Sequence, residues 1–288
     1  MFGLFPVFGD AVLHKMSPLA LVGFRMLLGA PILLVFAGVL TRPLPAARDL
    51  LALALLGLSG IALNQIFFAE GLLRAGPVNA AILAVIIPVS TLIISTAFRH
   101  ERPRRAQVIG IVVAFLGAAV LVRAERLDFS NTETVGSLLL LCNSPFYSAY
   151  LVFSRPLIAR LGALPVVAWA YIFGAIEALP FTAPAVLDVA WTSLPVWAWA
   201  SLAYILVGPT IVGFWLNAYA LKTVTASVVA VYVLLQPVIG SFAAWVFRDS
   251  PITVRTLLAA AVILAGVALA SGIIGRRARI GFEGNRAG

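Results

Sequence analysis

The sequence predicts an all-α membrane protein of ten transmembrane helices, built as two inverted five-helix repeats with both termini inside. Three observations lead there: ten apolar stretches in succession, charge confined largely to the short loops between them, and landmarks of the first half that recur in the second at a fixed offset. The chain is 62% hydrophobic and 11% charged with a mean hydropathy of +1.07, a balance foreign to a soluble domain of 288 residues. Function must then lie in whatever interrupts the apolar runs.

A helix needs roughly 20 apolar residues to cross the hydrocarbon core. Residues 1–13 fall short of that, so the first helix is tilted or fraying, or the numbering begins inside the span. No signal-peptide pattern stands ahead of it. The second stretch, 18–40, opens at Ser17-Pro18 and holds Arg25 and Pro31. The third, 50–73, carries Asn64 and Phe68 one helical turn apart, and the fourth, 77–98, carries Pro88 near its midplane. The fifth, 106–122, has Gln107 as its only polar side chain and is lined with Gly110, Ala114 and Gly117. The sixth, 134–155, sets Asn143, Tyr147 and Tyr150 on one face, with Cys142 read as a packing residue. The seventh, 163–185, holds Glu177 and Pro180. The eighth, 194–219, sets Tyr204 and Trp215 on one face, and the ninth, 224–247, sets Tyr232 and Gln236 together beside Pro237. The tenth, 252–275, has an apolar centre with Ala261, Ala265, Ala268 and Gly272. Small residues let helix backbones approach closely in lipid, so the fifth and tenth spans read as packing helices or a dimer face. The oligomeric state is then a monomer or a homodimer.

The net charge of +9 does not point to nucleic acid. With the N-terminus inside, thirteen Lys and Arg fall in inner loops and six in outer ones, which satisfies the positive-inside rule with both termini cytoplasmic. The basic tail 276–286 suits anionic headgroups and carries a single aromatic, Phe282. One cysteine allows no intrachain disulfide.

A shift of 149 residues lays Pro31 on Pro180, Pro88 on Pro237, Gly117 on Gly266 and Phe98-Arg99 on Phe247-Arg248. Ala81 meets Ala230 and Val89 meets Val238, while Pro6 reaches Pro145 at a shift of 139. The units are residues 1–128 and 129–288. Each holds five spans, and an odd number turns the second copy upside down in the membrane. Inverted repeats are the mark of secondary transporters, in which two packings of one motif give alternating access to a midplane site.

Three runs carry a resemblance to a family. "SPLALVGFRMLLGAPILL" has the Ser-Pro start and mid-helix Arg of the second span of EamA-domain proteins, in the drug/metabolite transporter superfamily. "PVNAAILAVIIPVSTLIISTAFRHERPRRAQVIGIVVAFLGAAVLV" resembles their fourth and fifth spans, with the intramembrane Pro88 and the Glu101 that follows the helix end. "ASVVAVYVLLQPVIGSFAAWVFRDSPITVRTLLAAAVILAGVALA" repeats it with Asp249-Ser250 where a Glu is usual. Within the superfamily the chain looks like the YddG-type exporters of aromatic and other neutral amino acids. The resemblance implies a basket in which helices 1–4 and 6–9 surround a cavity and 5 and 10 stand behind, a small-molecule substrate, and no catalytic motif, cofactor or metal.

The residues themselves name candidates for the cavity. A charge at membrane depth costs on the order of 3 kcal/mol and is normally paired or faces water. Arg25 and Glu177 both fall roughly 10 Å below the outer boundary at 1.5 Å per residue. As neighbours they can hold a zwitterion by its carboxylate and ammonium, or form a structural ion pair. Asn64, Asn143, Tyr147, Tyr150, Tyr204, Trp215, Tyr232 and Gln236 suit an apolar or aromatic substrate whose polar end is fixed by amides and hydroxyls. Asp10 and Glu70, near outer helix ends, read as solvated or locally paired, and Trp191, Trp197 and Trp199 read as interfacial belt. Pro88 and Pro237 occupy equivalent helices near the midplane and are expected to act as hinges.

Other readings fare worse. Gly57-Leu58-Ser59-Gly60 matches the serine motif of intramembrane proteases, but the two histidines, His14 and His100, lie at opposite surfaces from a mid-membrane Ser59. No P-loop is present, and Asp10 with His14 lacks further metal ligands. A channel wants rings of charge or filter carbonyls. The excess of Arg over two Lys points to a GC-rich bacterium, hence to the inner membrane, since outer-membrane spans are barrels. The expectation is a secondary exporter of small metabolites, foremost neutral amino acids.

Overall fold

The computed structural model describes residues 2–41, 44–121, 132–236, 238–240, 242 and 254–270. Every regular element among them is helical. A 3₁₀ turn at Phe2–Leu4 leads into α1, Phe5–Leu13. The Ser17 side chain then accepts a hydrogen bond from the Ala20 N–H at 3.2 Å and caps α2, Pro18–Phe36. The third stretch is longer than hydropathy predicts. It runs through α3, Ala47–Leu56, a π-helical segment, Gly57–Leu63, and on into α4, Asn64–Leu83. Gly76 breaks this rod at φ +76°, a conformation that glycine adopts without Cβ strain, and Pro77 restarts it.

The fourth stretch is broken again at residues 84–85 before α5, Ile86–Ala97. Pro88 supplies the cause, because it has no N–H to give the Ala84 carbonyl. That carbonyl accepts from the Ile87 N–H at 3.1 Å instead. The remaining elements are α6, Arg105–Leu121; α7, Thr132–Leu161; α8, Ala163–Leu187; α9, Val196–Ile205; a π-helical segment, Leu206–Gly213; α10, Phe214–Ala220; α11, Ala226–Val231, followed by a 3₁₀ turn at Tyr232–Leu235; and α12, Val254–Ala270. Pro237 lies outside the described residues.

Among the described residues six rods are long and apolar enough to cross a bilayer: Pro18–Phe36, Ala47–Pro77, Asn79–Ala97, Thr132–Leu161, Ala163–Leu187 and Val196–Ala220. Four shorter apolar helices accompany them, Phe2–Leu13, Arg105–Gly117, Ala226–Gly240 and Leu257–Ala270. The two π-helical segments begin 149 residues apart, the offset that superimposes the prolines.

The helices pair along their lengths: α2 with α8, α4 with α7, and α6 with α12. Glycine sets the distances. A Cβ on Gly110 would stand 2.4 Å from the Ala270 nitrogen, and one on Gly266 2.5 Å from the Ala114 nitrogen. The fifth span makes this contact with the expected Gly110, Ala114 and Gly117, but the tenth meets it through Gly266, Ile263 and Ala270; the expected Ala261 and Ala265 are exposed, and Gly272 lies outside the described residues. The outer faces of both spans, with Val112, Leu116, Leu257 and Leu264, are exposed. Polar ties join helix ends. Arg160 donates to Asp49 at 2.8 Å, and Glu101 Oε1 accepts the Ser227 N–H at 3.2 Å, so the acid after the fourth span caps the start of the ninth. Glu70 pairs with Arg74, and Asn79 donates to Glu133.

Candidate functional site

Between α1, α2, α4, the start of α5, α7, α10 and α11 with the turn that follows it, a cavity of about 210 Å³ opens. Its wall is mostly apolar, from Phe2, Phe5 and Phe68 through Leu140 and Leu151 to Phe214 and Ile239. Its polar groups are Arg25, Asn64, Gln65, Asn143, Tyr147, Asn217, Tyr232 and Gln236. None of the described lining residues comes from α6, α8 or α12. An apolar pocket with a few convergent polar groups is the usual form of a small-molecule site.

Arg25 is the only charged side chain among the described lining residues. It is 3% exposed. Its Nε donates to Thr210 Oγ1 at 2.8 Å, and its guanidinium carbon stands 4.7 Å from the centre of the Phe5 ring. Thr210 gives its own proton to the Ile205 carbonyl at 2.8 Å, which leaves its lone pairs for Arg25. That carbonyl is five residues back, a reach the π-helical turn makes available. The Tyr171 hydroxyl joins the cluster beside Arg25 and Thr210, accepting from Gln65 Nε2 at 3.0 Å. Among the described residues no carboxylate pairs with Arg25. Neutral hydrogen bonds and a ring face offset part of the cost of burying a guanidinium, which is several kcal/mol when unpaired. The guanidinium thus faces the cavity with neutral partners only among the described residues.

The amides are fixed in turn. Asn143 Nδ2 donates to the Asn64 carbonyl at 2.7 Å, and Asn217 Nδ2 donates to the Tyr147 hydroxyl at 2.5 Å. Both bonds leave the amide oxygens as acceptors. Gln65 Oε1 is buried with no hydrogen-bond partner among the described residues.

Of the predicted site residues, the structure brings Arg25, Asn64, Asn143, Tyr147, Tyr232 and Gln236 to one cavity. The other four stand elsewhere. Glu177 is on α8, whose buried face runs through Ala170, Gly174, Ala178 and Thr182, and it lies at the edge of that face beside exposed Ile176 and Phe181. Among the described residues it forms no ion pair with Arg25, and its Oε2 has no partner. Depth placed the two at one level, but helix rotation separates them. Tyr150 is fully buried behind the wall, over Gly60. Tyr204 packs at a tilt against Phe8 with 4.8 Å between centroids, while Trp215 is 41% exposed and packs beside Tyr219. The π-helical segment Leu206–Gly213 lies between Tyr204 and Trp215. One extra residue in a turn rotates everything after it by about 100°, so the expected common face is lost. Pro88 is buried at the break in the fourth stretch, below Ile87 on the cavity wall. Sequence reasoning missed Gln65, Tyr171, Thr210 and Asn217. Gln65 adjoins Asn64, which is the one local signal for it; Thr210 is 185 residues from Arg25 in sequence.

Glu177→Gln is therefore expected to fold normally and to keep transport within about twofold of the parent, since it removes an unpaired carboxylate from lipid depth. Initial rates in reconstituted vesicles check it.

The class these features define is a multi-helix membrane protein with an apolar cavity and, among the described lining residues, one cation. Comparison with known proteins gives the family. The model of the EamA-like transporter family matches residues 1–123 and 134–272, and the chain belongs to that family of the drug/metabolite transporter superfamily. A protein of Streptantibioticus cattleyicolor named "Probable terminal-alkyne amino-acid exporter" is 30% identical over 265 residues, covering 91% of this chain and 87% of that one. The uncharacterized transporters YdfC and YyaM of Bacillus subtilis are 27% and 23% identical, over 89% and 90% of this chain and 83% and 86% of theirs. A solved crystal structure at 21% identity has a TM-score of 0.76 over 96% of this chain and 94% of that one, which speaks for the fold alone. The protein is a multi-pass membrane transporter of the EamA type.

Proposed function

We propose that this transporter exports neutral amino acids, aromatic ones foremost, across the bacterial inner membrane by alternating access around the Arg25 cavity. The carrying observation is a buried guanidinium in the cavity wall without a carboxylate partner among the described residues. A substrate carboxylate completes it, and the aromatic wall of Phe5, Phe68, Tyr147 and Phe214 receives the side chain. The name of the Streptantibioticus relative supports the amino-acid class. The reading has ten crossings in two inverted units, 1–128 and 129–288, both termini cytoplasmic, as monomer or homodimer without cofactor. The paired π-helical segments at the repeat offset support the inverted units.

In this reading the fourth helix bends at Pro88 and the ninth at Pro237 as the units rock. Pro88→Ala restores the missing hydrogen bond to Ala84 and is expected to slow turnover about tenfold with unchanged substrate affinity, read as a kcat effect in vesicles. The reading as a whole is tested by counterflow of an amino-acid panel in liposomes holding the purified chain. Saturable exchange of neutral amino acids supports it, and exchange confined to sugars or cationic drugs rejects it.

A further inference from the structure

The described cavity holds one positive charge and no negative one, and every described acid outside it is accounted for. Asp10 faces His14, Asp49 binds Arg160, Glu70 binds Arg74, Glu101 caps the ninth helix and Glu133 takes Asn79. Asp188 ends α8, and Glu177 lies off the wall. A substrate's ammonium group therefore meets amide oxygens, hydroxyls and ring faces, never a carboxylate, on the described wall. These neutral groups solvate an ammonium without cancelling its charge. With a zwitterion bound, the buried site keeps a net charge of one. With a monocarboxylate bound, it is neutral. Burial disfavours the first and favours the second.

We infer that this site reads its substrate by the carboxylate and the apolar tail, so that the ammonium is tolerated and not required. The inference rests on the amino-acid reading above and narrows it. It assigns simple aryl and alkyl monocarboxylates as ligands of the same cavity, and excludes amines that lack a carboxylate.

Three compounds of one shape test it: L-phenylalanine, 3-phenylpropanoate and 2-phenylethylamine. Each is titrated calorimetrically into the full chain in lipid nanodiscs at neutral pH, and each is then used to compete for phenylalanine counterflow. The expected result is that 3-phenylpropanoate binds as tightly as phenylalanine or more tightly, and that the amine gives no binding at about 100-fold higher concentration, a gap of about 2.7 kcal/mol. Arg25→Met is expected to weaken binding of both acids by about 100-fold. Phenylalanine binding more than about tenfold tighter than 3-phenylpropanoate, or the amine binding like phenylalanine, would overturn the inference and leave amino-acid export standing. Binding of neither acid by the folded chain would overturn both readings.

Discussion

Arg25→Met should lower transport of a carboxylate substrate by about 100-fold and leave the protein folded. Losing one partner of a buried, hydrogen-bonded charge pair costs about 2–5 kcal/mol, and each 1.4 kcal/mol is tenfold in affinity. The loss should fall on apparent affinity, because Arg25 lies in the cavity wall and makes no ion pair within the described fold. For the same reason the empty protein has little to lose. Methionine fills similar volume, needs no counter-charge and replaces a buried cation, a change that is often neutral or stabilising. The thermal midpoint without substrate should therefore hold or rise. Arg25→Lys separates charge from geometry. It keeps a cation but loses the planar fork and the Nε bond to Thr210. A loss of about tenfold, between parent and methionine, is expected. Thermal shifts beside uptake rates in vesicles check both.

Gly57→Leu should prevent assembly of the helix bundle. A Cβ at Gly57 would stand 2.7 Å from both the Ala170 carbonyl oxygen and the Gly174 nitrogen on α8, and 2.9 Å from Phe173. Two of those three atoms are backbone and cannot rotate away. Opposite, a Cβ at Gly174 would meet Ile61 at 2.6 Å. The π-helical segment thus crosses α8 with glycine on both sides, and leucine must push the helices apart. Overpacking costs typically 1–3 kcal/mol, and more where backbone must yield. The spread would also carry Asn64 and Gln65, which follow directly in α4, away from the cavity. The expected outcome is a chain that inserts but elutes as aggregate from detergent. Gly240→Ala is the control. Among the described residues its Cβ would meet only the Gly3 carbonyl oxygen at 3.7 Å, so normal elution is expected. Size-exclusion profiles of the two variants give the answer.

What the sequence made legible followed from properties that a single helix carries. Apolar length marked the rods, and the small residues of the fifth span, Gly110, Ala114 and Gly117, lie at a close crossing, whereas on the tenth the crossing falls at Gly266 and not at the exposed Ala261 and Ala265. Arg25 stood out because a charge at that depth demands a reason. What was hidden depended on rotation and on distant pairing. Depth arithmetic set Glu177 level with Arg25 but carried no information about which way α8 turns. The face shared by Tyr204 and Trp215 assumed an unbroken α-helix, and the π-helical segment at Leu206–Gly213 cancels that assumption. Nothing local marks Thr210 or Tyr171 as partners of a guanidinium in α2. Tyr150 obeyed its helical spacing yet sits behind the wall, because Gly60 leaves its ring a place there.

Alternating exposure of the cavity is the central claim, and thiol accessibility tests it most directly. Cys142 is exposed, so it is first replaced by serine, and one cysteine is then placed at Gln236 in the cavity wall. A membrane-impermeant maleimide is applied from either face of sealed vesicles. The account predicts reaction from both faces in turn, with protection by saturating amino acid. Reaction from one face alone, unchanged by substrate, would contradict it.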